Sequence, residues 1–79
     1  MKTLVSLVQK EIAKAESDGQ KVAAIHSMAL LHSDAIHEYG LVRFCEEAGL
    51  AKSYQTEVSK MLAAARYLRS SGYTIVPIG

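Results

Sequence analysis

Leu4, Val5, Val8, Ile12 and Ala15 recur three and four residues apart, while Lys10, Glu11, Lys14 and Asp18 fall on the other faces, so the chain opens on an amphipathic helix. Gly19 lies just past its last turn, where a left-handed residue commonly ends a helix. From 20 to 39 there is no Pro or Gly, and Ala, Leu and Met dominate. That composition predicts a second helix of roughly 30 Å, at about 1.5 Å per residue. Its apolar positions do not make one narrow stripe. Val22, Ile25, Ala29 and Ile36 trace one face, and Ala24, Met28, Leu31, Ala35 and Tyr39 trace another. A helix greasy on two faces must be covered on both. The first helix covers one, and the C-terminal half, or a second copy of the chain, covers the other. Ser33 and Asp34 are cap-type residues that offer an internal break.

Gly40 is the firmer stop. After it, Val42, Phe44, Cys45 and Ala48 alternate with Arg43, Glu46 and Glu47 in a short helix, 41–48, and Gly49 ends it. A longer helix, 53–70, follows with Ser53 as N-cap and an inner stripe of Val58, Met61, Leu62, Ala65 and Leu68; Gly72 stops it. Thr74, Ile75 and Val76 are β-formers, so 73–76 is expected to be a short strand that Pro77 limits. The expected fold is all-α: one small four-helix domain over 1–79, with a helix-turn-helix-like C-terminal pair and a short terminal β-strand.

The segment 41–50 resembles the first helix and turn of the helix-turn-helix family, with apolar Phe44, small Cys45 where two helices would cross, apolar Ala48, then Gly49 and Leu50. Between Leu50 and Val58 the chain is about three residues longer than a compact turn of this type. In that family the second helix presents polar side chains to base edges in the major groove. The resemblance therefore implies Gln55, Thr56, Ser59 and Lys60 as DNA-binding residues, with Lys52, Arg66 and Arg69 for phosphates. Residues 67–75 look like the end of a recognition helix leading into the first wing strand of a winged-helix protein. The chain is also similar in kind to the small helical regulators of temperate phages, among them antirepressors, which bind a repressor protein instead of DNA.

Composition shifts the weight between these readings. Nine basic and eight acidic side chains leave a formal net charge of +1, so binding to nucleic acid must rest on local clustering. At 79 residues and 49% apolar, the chain buries only roughly 60–65% of its unfolded surface, and self-association is the expected staple. Cys45 is the single cysteine, the usage of a reducing cytoplasm. Apolar runs are far below membrane-spanning length.

Chemistry has little to work with. His26, His32 and His37 are six and five residues apart, not at the three-or-four spacing that gathers metal ligands on one helix face. Glu46 and Glu47 are adjacent and diverge, Cys45 reads as a packing residue, and no phosphate loop or nucleophile motif is present. We expect no enzyme, cofactor, metal or small-molecule substrate. The leading expectation is a cytoplasmic homo-oligomer that regulates by binding another protein, through Met28, Leu31, Tyr54, Tyr67, Tyr73, Ile75, Val76 and Ile78. The alternative is a DNA-binding transcriptional regulator using Lys52, Gln55, Thr56, Ser59, Lys60 and Arg66.

Overall fold

The computed structural model describes residues 1–76. Among them the chain forms five helices: α1 (Lys2–Ser17), α2 (Lys21–Leu31), α3 (Ser33–Tyr39), α4 (Leu41–Glu47) and α5 (Ser53–Ser70). α2 lies in the middle, with α1 on one side and α5 on the other, and α3 and α4 close the end of the bundle against α5. The two-faced apolar pattern of the second helix is answered by this sandwiching. One core joins all five elements: Val5, Val8 and Ile12 of α1, Ile25 and Ala29 of α2, Ile36 of α3, Phe44 and Cys45 of α4 with Ala48 after it, and Val58 of α5. Phe44, Ile25, Ile36, Val8 and Val58 are essentially withdrawn from water, each contributing roughly 1.5–3 kcal/mol of transfer free energy.

Two expectations are corrected. There are five helices, not four, because the helix predicted over 20–39 breaks at His32, whose φ of −112° and ψ of 26° leave the helical region. His32 N–H still donates to Met28 C=O at 3.0 Å, and His32 C=O accepts from Ile36 N–H at 3.0 Å, so one residue ends α2 and starts α3 with little hydrogen bonding lost. The bend brings Ile36 into the same core as Phe44 and Val58. An unbroken helix would run nearly the full 34 Å of the longest dimension and carry Ile36 past that core.

The expected terminal strand is also absent among the described residues, and with it the first wing strand. Two bonds reverse the chain at the end of α5: Gly72 N–H to Arg69 C=O at 3.1 Å and Tyr73 N–H to Leu68 C=O at 2.8 Å. Residues 73–76 then turn back toward the α2–α3 junction, where Ile75 shares a cavity wall with Leu30 and Leu31. A lone segment with no neighbouring strand has no ladder to join, so β-forming residues there remain irregular. Pro77 and Ile78, expected to limit the strand and to meet a partner, lie outside the described residues.

Candidate nucleic-acid interface

α4 and α5 pack on each other and are joined by residues 48–52. Gly49 takes φ +74° after α4, and two bonds satisfy the helix end: Gly49 N–H to Glu46 C=O at 3.1 Å and Leu50 N–H to Cys45 C=O at 2.9 Å. The extra length seen in the sequence is taken up as a tight first turn of the second helix. Tyr54 N–H donates to Ala51 C=O at 2.9 Å and Gln55 N–H to Lys52 C=O at 3.1 Å, and Lys52, already helical at φ −55°, precedes the first residue of α5. Ser53 is therefore the first residue of the helix, not its cap, and residues 48–52 connect α4 to α5. Cys45 is fully buried at the α4 crossing, as the resemblance implied; burial pushes its thiol pKa up and leaves it a packing residue.

α5 divides its circumference in two. With one residue every ~100°, Tyr54, Val58, Met61, Ala65 and Leu68 face inward, and Lys52, Thr56, Ser59, Lys60, Ala63, Arg66, Tyr67 and Ser70 occupy the outer half, all exposed. Gln55, half-buried, Thr56, Ser59, Lys60 and Ala63 line one open depression beside Leu41 at the start of α4. The structure thus places Gln55, Thr56, Ser59 and Lys60 on one depression, while Lys52, Arg66 and Arg69, which the resemblance assigned to phosphates, lie outside it. No acidic residue stands on this outer arc. Glu57, the only acid of α5, points inward toward α2, with an oxygen 3.5 Å from His26 Nε2 and 3.7 Å from Lys60 Nζ. His26 Nε2 is buried and makes no hydrogen bond to the described residues. Arg69 donates to Asp34 of α3 at 2.6 Å, whereas Lys52 and Arg66 have no ion partner among the described residues.

The residues expected to bind a protein divide differently. Met28 and Tyr54 are half-buried and pack on the core, with Lys21 Nζ 5.4 Å from the centre of the Tyr54 ring. Leu31, Tyr67, Tyr73, Ile75 and Val76 remain exposed, Tyr67 at 70% and Val76 at 68%. Sequence reading missed a cluster joining α3 to α4, in which Tyr39 O–H donates to Glu47, whose carboxylate also accepts from Arg43 at 3.3 Å. The Arg43 guanidinium lies 4.3 Å from the centre of the Tyr39 ring. The Arg43–Glu47 spacing of four was a usable signal; the approach of Tyr39 depends on the bend at Gly40 and carries none.

Among the described residues, no three His, Cys, Asp or Glu side chains come together to hold a metal ion, and no helix is long and apolar enough to cross a membrane. Comparison with curated proteins and with solved structures finds no match. A family described as an HTH-like domain matches residues 1–71, which takes in α1, α2 and α3 as well as the α4–α5 pair on which the resemblance was first seen. With that match over residues 1–71, the chain belongs to the HTH-like domain family.

Proposed function

We propose that this protein is a non-enzymatic, cytoplasmic regulator that binds duplex DNA with the outer arc of α5. Gln55, Thr56 and Ser59 face base edges, and Lys52, Lys60 and Arg66 neutralise phosphates. The observation that carries the reading is the one-sided charge of α5: an exposed arc with cations and no acid, following the short connection 48–52. A helix with side chains is about 10–12 Å across and the major groove about 12 Å wide, so this arc can enter it. Local placement thereby offsets the net charge of only +1. Three phosphate contacts per protomer give a slope of log affinity on log salt of about −3. Gel retardation with genomic fragments at low and moderate salt tests this. Retention with that slope, weakened at least about tenfold by Lys60→Glu with Arg66→Glu, is the expected result. Retention unchanged by the charge reversal sinks it.

A second reading keeps the regulatory role and changes the partner. Exposed Leu31, Tyr67, Tyr73, Ile75 and Val76 favour association with another protein or with a second copy of the chain. An oligomer built on that surface would act sterically, as an antirepressor does, by holding a transcription factor away from its operator. Light scattering and Ile75→Asp separate the two readings. A discrete oligomer that the substitution disperses, without DNA retention by the parent protein, favours the protein partner.

A further inference from the structure

Between α3 and α5 lies a cleft whose walls include Arg66 from the first reading and Leu31 and Ile75 from the second, but to which neither gives a ligand. Asp34 and Arg69 meet across it at 2.6 Å, and this bridge separates two cavities that share Ser33, Asp34 and Arg69 as walls. On one side, in about 210 Å³, His37 and Arg66 complete a polar chamber over Leu62. On the other, in about 240 Å³, Leu30, Leu31, Leu68 and Ile75 supply an apolar wall, and His32, Tyr73 and Thr74 line the same space with polar groups.

Two guanidinium groups against one carboxylate leave the cleft one positive charge in excess. Arg69 uses part of its fork on Asp34, and Arg66 has no ion partner among the described residues, so N–H donors remain for a second carboxylate. Ser33 is only 8% exposed, and its hydroxyl makes no hydrogen bond to the described residues although the residue walls both chambers. That hydroxyl opens onto the chambers and can donate to an acceptor placed there. A phosphate dianion fits less well: it would carry more charge than the excess and leave the apolar wall uncovered.

We propose that this cleft binds a small amphiphilic carboxylate, its head group held by Ser33, Arg66 and Arg69 and its hydrocarbon tail laid against Leu30, Leu31, Leu68 and Ile75. Octanoate is the probe, with octylamine and inorganic phosphate as controls, each titrated into the full chain and followed by amide chemical shifts. Octanoate is expected to saturate with a Kd of about millimolar, as its small size dictates, with shifts confined to residues 30–37 and 65–75. Phosphate binds at least about tenfold more weakly, and octylamine does not saturate. Arg69→Gln and Arg66→Gln each weaken octanoate at least about tenfold while the free variants keep dispersed spectra.

Equal saturation by octylamine, phosphate binding as tight as octanoate, parental affinity in both glutamine variants, or shifts scattered over the surface would each overturn the assignment. The titration contains no DNA, so it stands or fails apart from the proposed regulatory function.

Discussion

α2 has eleven residues and one charged side chain, Lys21, and it is enclosed by α1 on one side and α5 on the other. α5 has eighteen residues, including Glu57, Lys60, Arg66 and Arg69, and gives only half its circumference to the core. The two helices pack on each other, yet the same contact has opposite consequences for them. In α2 the side chains turned to its neighbours, Ile25 and Ala29 above all, serve cohesion, so substitution of those reads out as stability. In α5 the inward row performs that task, and the outer row is free to be chosen for recognition.

The division is broken most directly by exchanging the effects. Ile25 of α2 is 2% exposed and sits between α1 and α5, so Ile25→Ala should cost about 2–5 kcal/mol in urea unfolding. Against a total stability of roughly 5–15 kcal/mol for a natural domain, that is a large fraction. Lys60→Glu with Arg66→Glu should move the same unfolding curve by less than about 0.5 kcal/mol, because neither side chain supports the core. If the charge reversal unfolds the protein while Ile25→Ala is mild, the outer arc of α5 is structural and its reading as a recognition surface is wrong.

A smaller effect sharpens the comparison at the turn that aims α5. Gly49 has φ +74°, and a Cβ built there meets nothing within 4 Å, so Gly49→Ala carries a backbone cost without a clash. The expected loss is about 1–2 kcal/mol. DNA retention per folded molecule should stay close to that of the parent, since alanine fits the space once the backbone is held. A loss of retention with unchanged stability would show that the turn bends differently when the glycine is replaced.

The same junctions show what was legible in the sequence. Gly19, Gly40, Gly49 and Gly72 all stand at helix ends where their positions predicted ends, because the left-handed backbone that closes a helix selects glycine locally. The break at His32 has no such residue. Ser33 and Asp34 hinted at it, but what fixes it is the burial of Ile36 against Phe44 and Val58, a contact between segments that the chain order does not display. The outer arc of α5 was readable because helical spacing and residue type suffice to place it. The cleft at Ser33, His37, Arg66 and Arg69 was not, since it depends on that bend and on α3 coming to lie beside α5. The strand expected over 73–76 failed for a related reason: β-propensity is local, whereas a strand requires a partner.

The smallest predicted effect concerns the polar contacts at the two ends of α3, which add to the packing of its buried Ile36. Asp34 has its pKa lowered below the ordinary 3.8, chiefly by the hydrogen bond from Arg69; partial desolvation opposes this, and the charges of Arg69 and His37 add to it. A carboxylate depressed in the fold contributes stability above its unfolded value and loses it as pH falls through the folded one. Tyr39 is shifted the other way, its phenol raised above 10.0 chiefly by donating to Glu47 and secondarily by desolvation, against the opposing charge of Arg43. Its contribution is present below pH 10.0 and is lost as pH rises through the raised value. Unfolding measured from acid to alkaline pH should therefore show two shallow shoulders. Asp34→Asn removes only the acid one, and Tyr39→Phe only the alkaline one. Both sites are solvent-exposed, so the shoulders should flatten in high salt, whereas the Ile25→Ala loss persists. A shoulder that survives salt would mean that α3 is held by something more buried than these two contacts.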